Sequence, residues 1–390
     1  MGTLSWEKII LVIYYMGKIK KKIHKKKKSK AGVKTKKLKS KMIGRGSFGC
    51  VFRPNIPCKK DIKYNKTVKR ENSKVSKVML QESTDEIKKE YRTNLKIQKI
   101  KNYKEWAFIW DKVCYPPKYE DMVEVSEIEK CMKKFKKSEK EYNKSSYMMI
   151  GHFGGEPLMK YAQKLIKKST YNSQKLFKDK FLKLFRSMEP LFLGIKSLQK
   201  SKICHQDLSS SNIMHKDGKF YMVDFGLSCL FSDTKSFKER SYSQLHGSRV
   251  YDPYPYDYIF CFGTKKELNK ELNGFNRGFY KTYHDDYMKI HKQILGREDI
   301  EEEITQDLGK INQNKREVIK KLDTYSIGIL LLTMICDIAE HYRVPVAKVY
   351  KCFEHPDIQN HLALLKDMTE YKSKSRLTAD EAYKRYKSLI

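Results

Sequence analysis

Two short segments in the middle of the chain hold the side chains best suited to chemistry. Residues 203–214 read ICHQDLSSSNIM, and residues 223–226 read VDFG. In-line phosphoryl transfer needs a carboxylate that accepts the proton of the attacking hydroxyl, and oxygen ligands that hold Mg²⁺ between the phosphates. Asp207 suits the first task, whereas Asn212 and Asp224 suit the second. The spacing therefore predicts a catalytic aspartate beside a magnesium site.

A glycine-rich segment upstream, GRGSFGCV at residues 44–51, is typical of a phosphate-binding turn. A lone G-x-G-x-x-G is weak evidence, and an ordinary glycine hairpin is the alternative. Strand-like residues follow it, whereas a dinucleotide-binding fingerprint would open a helix. Glycines in a strand–turn–strand let backbone N–H groups approach phosphates closely. The residues predicted to contact a nucleotide here are Ile43, Gly44, Arg45, Gly46, Ser47, Phe48, Gly49 and Val51.

A lysine between this turn and the central motifs completes the set. Phosphoryl transfer needs a fixed cation on the nucleotide phosphates and an anion that holds the cation in place. Lys77 lies on a predicted strand, 75–80, with apolar neighbours, and an acid-rich predicted helix, 82–100, follows. We predict that Lys77 binds the phosphates and that Glu90 is its ion-pair partner, with Glu86 as the reserve candidate.

In this order the motifs resemble the signature of eukaryotic-type protein kinases: G-x-G-x-F-G-x-V, a strand lysine, H-x-D-L-x-x-x-N and D-F-G. The resemblance runs from about residue 41 to the end of the chain. It implies an enzyme that binds ATP and Mg²⁺ and transfers the γ-phosphoryl group to protein substrates. Asp207 and Lys77 would be its catalytic residues, and Asn212 and Asp224 its metal ligands.

Further positions extend the resemblance. Residues 147–156 look like the kinase hinge, which places Met149 at the gatekeeper position and Glu156 near the ribose. Ser248 resembles the hydroxyl residue near the end of a Ser/Thr kinase activation segment. The resemblance also implies that Asp323 braces the catalytic-loop backbone and that Arg376 is a structural arginine.

The departures from the family pattern keep a second interpretation open. Gln206 replaces the arginine that grips a phosphorylated activation loop, which predicts activity independent of such a switch. Ser209 stands where Ser/Thr kinases carry a lysine near the γ-phosphate. The usual A-P-E is replaced by DPYPYD at 252–257, so Arg376 has no obvious glutamate partner. The alternative is a pseudokinase, a nucleotide-binding scaffold without turnover.

The order of the elements predicts an α+β, bilobed, protein-kinase-like fold with a β-rich N-lobe and a mostly helical C-lobe. We place the N-lobe at about 41–153 and the C-lobe at about 154–390, with an insertion at about 258–320. Residues 1–40 form a lysine-rich extension. The insertions and the lysine-rich composition resemble kinases encoded by large cytoplasmic DNA viruses.

The charge balance is strongly basic, with 82 Lys and Arg against 46 Asp and Glu. Such an excess favours contact with polyanions. Residues 18–41 are the predicted contact, whether with nucleic acid or with anionic lipid. A nuclear-import signal and a disordered, self-repelling extension are the alternatives.

The nine cysteines are odd in number and include no C-x-x-C pair, which argues against a disulfide framework and a zinc site. A reducing compartment follows, so we expect a cytoplasmic protein (host cytoplasm or virion if viral), or a nuclear one through the basic run. No transmembrane span is predicted, because the apolar segment 324–339 is short enough to be a buried core helix.

Overall fold

The computed structural model of the chain describes residues 39–46, 48–60, 71–80, 84–246, 254–263, 288–308 and 314–390. Nearly all of the lysine-rich extension lies outside these residues, as do Ser47 and Ser248. The described chain is mixed α+β, with an antiparallel sheet first and a helical region after it.

The sheet has five antiparallel strands in the order β1-β2-β3-β5-β4. Their bounds are β1 Lys41–Arg45, β2 Gly49–Arg53, β3 Lys74–Met79, β4 Trp110–Cys114 and β5 Tyr147–His152. The strand predicted at 75–80 is confirmed as β3, one residue earlier. The order leaves β1 at one edge of the sheet, next to the glycine-rich turn that joins it to β2.

The strand register decides which predicted residues share a face. Lys77 lies directly opposite Val51 on one side and Met149 on the other. Directly opposed residues of antiparallel strands project to the same face of the sheet. Helix α1, Thr84–Gln98, packs on this face through Ile87, which contacts Met149 in a small apolar cluster. The helix predicted at 82–100 is thereby confirmed.

The opposite face is covered by two helices that lie between β4 and β5. These are α2, Val125–Phe135, and α3, Glu139–Ser145. Ser138 caps α3 in a reciprocal bond with Glu141, which satisfies N–H groups that the helix itself leaves unpaired. The shared core contains inward residues of both layers: Phe52, Val78, Met148, Ile150, Ile128 and Met132.

Two disulfide bonds lie in this region, Cys50–Cys131 and Cys58–Cys114. The prediction against a disulfide framework was therefore wrong. The bonded cysteines are 81 and 56 residues apart, and only the folded sheet and helix bring them together, so local spacing gave no signal. The remaining five cysteines are free. The cysteine pattern consequently no longer supports a reducing compartment.

The helical region follows β5. Short strands accompany its first part: β6 Glu156–Pro157, β7 Ile203–Cys204, β8 Ile213–Lys216, β9 Lys219–Met222 and β10 Cys229–Leu230. Its helices are α4 Leu158–Leu165, α5 Gln174–Ser187, α6 Glu189–Lys200, α7 Thr234–His246, α8 Tyr256–Phe260, α9 Ile300–Leu308, α10 Lys315–His341, α11 Val346–Phe353, α12 Gln359–Met368 and α13 Ala379–Lys387. Residues 176–198 are divided between α5 and α6, because Pro190 lies in the first turn of α6.

Helix α10 forms the centre of the helical core. The apolar helix expected at 324–339 is confirmed and is longer than predicted. Among the described residues it is the one helix long and apolar enough to span a membrane, and 83% of its most apolar window is buried inside the protein. Such burial is typical of a core helix. The predicted insertion at 258–320 contributes the π-helical turn Lys289–Ile294 and α9 in its described part.

Candidate active site

Lys77 and Asp224 meet although 147 residues separate them in the chain. The Lys77 Nζ atom lies 3.2 Å from Asp224 Oδ2. Strand β3 fixes the lysine, which is 6% exposed, and Asp224 follows β9 with a φ of 60°. A left-handed backbone is uncommon for a residue other than glycine and is concentrated at functional sites. The strand lysine and the aspartate of the VDFG segment therefore form one half-buried ion pair.

Glu90 enters the same cluster from helix α1. It is 2% exposed, and its Oε1 atom accepts a hydrogen bond from Trp110 Nε1 at 2.9 Å. A Cβ atom added at Gly226 would lie 3.4 Å from Glu90 Oε2 and 3.2 Å from Asp224 Oδ1. Both carboxylates therefore flank Gly226, where a larger residue would crowd them. The side chain of Glu86 lies outside the described part.

Asp207 and Asn212 are joined within the loop between β7 and β8. The Asn212 Nδ2 group donates to Asp207 Oδ2 at 2.6 Å and to the Asp207 carbonyl at 2.9 Å. Its amide oxygen has no bond among those described, so it remains available as a ligand. The two predicted residues thus hold each other's orientation, and within the described part of the chain one carboxylate oxygen and one amide oxygen make no hydrogen bond.

Asp323 braces this loop from helix α10, as its resemblance to the kinase aspartate implied. Its carboxylate accepts from the backbone N–H of His205 at 2.7 Å and from that of Gln206 at 3.1 Å. Burial raises the pKa of Asp323, while these backbone bonds favour its charged form. A helix in the middle of the core therefore fixes the main chain just before Asp207.

Gln206 is buried and joins the loop to the segment after Gly226. Its Nε2 group donates to the Leu227 carbonyl at 2.9 Å, and its Oε1 atom accepts from Tyr258 Oη at 3.1 Å. Tyr254 Oη also donates to the Gln206 carbonyl. A neutral amide therefore makes these links without any phosphate. The independence of a phosphorylation switch stays a prediction.

Arg376 has a partner that the sequence did not reveal. Its Nη2 group lies 2.9 Å from both carboxylate oxygens of Asp257, and both side chains are almost completely buried. Burial raises the pKa of Asp257, and the arginine opposes that shift. The sequence offered Arg376 no obvious glutamate partner, and in the structure an aspartate, the last residue of DPYPYD, supplies the carboxylate.

The predicted nucleotide contacts are distributed unevenly. Val51, Met149 and Lys77 share one face, and Gly44 lies opposite Val51 on β1. Ile43 and Phe48 are exposed, as is Arg45. Glu156 is paired with Lys164 here, so its contact with a ribose stays a prediction.

A steric constraint within the sheet requires glycine at position 49. A Cβ atom there would lie 2.0 Å from the Val78 carbonyl oxygen, far inside contact distance. The close approach of β2 to β3 therefore demands glycine at this position. Phosphate binding is not needed to explain it, although the two roles are compatible.

The oxygen donors fit a magnesium ion that arrives with a nucleotide. Mg²⁺ is usually held by one or two carboxylates together with phosphate oxygens and water. Asp224 and Asn212 supply such a set. Within the described ranges no group of three or more His, Cys, Asp or Glu side chains could hold a metal ion without such help.

Three residues of the site gave no signal in the sequence. Trp110 lies 20 positions from Glu90, and Asn94, which accepts from the Trp110 backbone N–H at 3.0 Å, resembles any polar helix residue. Asp257 lies 119 positions from Arg376.

No known family model and no curated protein matches this chain.

Proposed function

We propose that the chain is a protein kinase of the eukaryotic type that transfers the γ-phosphoryl group of Mg·ATP to Ser or Thr hydroxyls of proteins. The observation that carries the proposal is the 3.2 Å pair of Lys77 and Asp224. It joins two of the predicted functional residues across 147 positions. The Val223 N–H, one residue before Asp224, donates to the Asn212 carbonyl at 2.9 Å, which connects this pair to Asn212 and its partner Asp207. A structural loop would not require these residue types to converge.

Each residue has a role that its surroundings support. Lys77 presents a fixed cation to the nucleotide phosphates, and its burial limits the orientations of its side chain. Asp224 and Asn212 would hold Mg²⁺, which neutralises charge on the phosphates when bound. Asp207 would orient the attacking hydroxyl and accept its proton, because Asn212 leaves one of its carboxylate oxygens free.

The proposal includes a bilobed kinase fold. The antiparallel sheet with α1 corresponds to the N-lobe, at about 41–153, and the region built around α10 corresponds to the C-lobe, at about 154–390. Lys77 belongs to the first and Asp207, Asn212 and Asp224 to the second, so the site would lie between the lobes. The preference for Ser and Thr rests on Ser248, which lies outside the described residues.

Replacement of Lys77 by methionine tests the proposal. Loss of one positioned charge on a transition state typically costs about 10²–10³-fold in rate. Lys77→Met should therefore lose most phosphoryl transfer and still unfold cooperatively. Lys74→Met is the matched control, since Lys74 lies on the same strand but pairs with Glu71 at the surface. Equal activity in both variants would show that Lys77 is not the phosphate-binding lysine.

A second candidate function is a nucleotide-binding scaffold. The Ser209 and Ser211 hydroxyls bond each other at 2.6 Å, and residues 205–212 contain no lysine or arginine. This loop therefore offers no cation near the γ-phosphate. A thermal shift with Mg·ATP but no transfer of labelled phosphate would favour the scaffold.

Polyanion binding can accompany either function. Residues 1–38 carry 13 lysines and one glutamate, which is +12 of the chain's net +36. The remaining residues therefore carry +24. We propose that the lysine-rich segment 18–41 is one contact for nucleic acid or anionic lipid and that the rest of the chain adds to it.

A further inference from the structure

The connection between β4 and β5 is far longer than the sheet requires. Antiparallel neighbours are usually joined by two to five residues, but here 32 residues, 115–146, contain α2 and α3. They cover the face of the sheet opposite Lys77, so they do not contribute directly to the cluster around Asp224. Their contacts with the glycine-rich hairpin indicate what they do.

Two acidic side chains satisfy the exposed edge of β1. An edge strand presents backbone N–H groups that lack a sheet partner. Glu124 Oε1 accepts from the Ser40 N–H at 3.2 Å, and Glu127 Oε2 accepts from the Met42 N–H at 2.9 Å. Lys130 and the Met42 N–H together lower the pKa of Glu127, which keeps it charged. The start of α2 therefore takes the place of a neighbouring strand.

A lysine at the other end of the same helix reaches the turn. Lys134 Nζ donates to the Gly46 carbonyl at 2.6 Å. The Gly46 N–H in turn donates to the Gly49 carbonyl at 2.8 Å, which closes the turn. Partial burial, with a smaller effect of Arg45, lowers the pKa of Lys134. A charged donor thus holds the backbone at the tip of the predicted phosphate-binding turn.

The Cys50–Cys131 bond adds a covalent tie. Cys50 directly follows Gly49, and both sulfur-bearing residues are fully buried. The contacts come from positions 124, 127, 131 and 134, which have the three- and four-residue spacing of one helix face. One face of α2 therefore contacts β1, β2 and the turn that joins them.

We infer that α2 positions the glycine-rich turn for nucleotide and that Lys134 is a positioning residue for ATP. The inference rests on the proposed kinase function, because the turn would serve to bind the phosphates of a nucleotide. A flexible turn must be ordered when a ligand binds, and that ordering opposes affinity. A turn already held at Gly46 loses less freedom. The contact should therefore affect the KM for ATP and leave kcat nearly unchanged.

The test compares Lys134→Met with Lys133→Met. Lys133 precedes Lys134 on the same helix and is exposed as Lys134 is, but its side chain makes no contact among those described. A hydrogen bond typically contributes about 1 kcal/mol, which corresponds to about a fivefold change in an equilibrium. We expect Lys134→Met to raise the KM for ATP about fivefold with kcat within twofold. Lys133→Met should match the unsubstituted protein.

Amide hydrogen exchange of residues 44–50 gives a second readout that needs no activity. Lys134→Met should exchange faster than Lys133→Met in this segment. Equal exchange in the two variants would show that the Lys134 side chain does not hold the turn at Gly46, whether or not the protein transfers phosphate. Faster exchange with an unchanged KM would overturn the positioning role. Absence of Mg·ATP binding and transfer in the unsubstituted protein, with faster exchange in Lys134→Met, would contradict the proposed function and leave only a structural brace.

Discussion

Replacement of Trp110 by phenylalanine should slow the proposed phosphoryl transfer more than it weakens the fold. The change removes the indole N–H that donates to Glu90 Oε1 at 2.9 Å and keeps an aromatic ring in the apolar cluster beside β4. Glu90 is only 2% exposed, so water cannot readily replace the lost donor. The carboxylate that flanks Gly226 would lose one of the bonds that fix its position.

The expected size follows from the kind of bond. Hydrogen bonds to charged groups contribute about 1.5–3 kcal/mol, and about 1.4 kcal/mol corresponds to a tenfold change in rate. Full loss in the transition state would therefore lower kcat about 10–100-fold. Two other bonds persist in the variant, from the Trp110 N–H to Asn94 Oδ1 and from Asn94 Nδ2 to the Glu90 carbonyl. Because they keep α1 on β4, we expect a fall near tenfold.

Trp106→Phe is the matched control. Trp106 is fully buried, and its indole N–H has no hydrogen-bond partner among the described residues. Both variants lose similar volume, but only Trp110→Phe loses a bond to Glu90. Peptide phosphorylation and thermal unfolding should be measured on both. Equal kcat values in the two variants would refute a role of Trp110 in positioning Glu90.

Three further predictions concern stability and charge. Asp257→Asn should lower the free energy of unfolding by about 3–5 kcal/mol in a urea titration, because it leaves a buried arginine charge uncompensated. A second change, Arg376→Met, should recover part of that loss; no recovery would contradict the pairing. Denatured, unreduced protein should show five reactive thiols of nine, and replacement of Cys50 and Cys131 by alanine should cost about 2–4 kcal/mol. Nine reactive thiols would contradict both disulfides. Deletion of residues 1–38 should lower the salt concentration that elutes the protein from heparin without abolishing retention, because +24 remains; an unchanged elution would exclude the extension as a contact.

Residues in contiguous motifs could be predicted from the sequence because their spacing encodes local geometry. Asp207 and Asn212 lie five positions apart and bond each other. Lys77 could be predicted as well, since Val75, Val78 and Met79 around it indicate a buried strand. The order of the motifs then indicated that these residues belong to one site. Lys77 contacts Asp224 and Asn212 contacts Asp207 in the structure, and their catalytic roles stay a prediction.

Contacts between distant elements could not be predicted in the same way. Trp110, Asp257 and Lys134 reach their partners only through strand order and helix packing, and their residue types are common on any surface. The two disulfide pairs could not be predicted for the same reason. At Gly49 the motif alone is ambiguous. It indicated a phosphate contact, whereas the close approach of two strands already requires glycine at this position.

The central claim is that Asp207 is the base of a phosphoryl transfer. The direct measurement is incorporation of labelled γ-phosphate from Mg·ATP into the protein itself and into a basic protein substrate, with Asp207→Asn beside it. General-base catalysis contributes about 10²–10⁴-fold, so label should appear with the unsubstituted protein on Ser or Thr and fall at least about a hundredfold in the variant. Equal labelling by both proteins, or none despite a thermal shift with Mg·ATP, would contradict the claim.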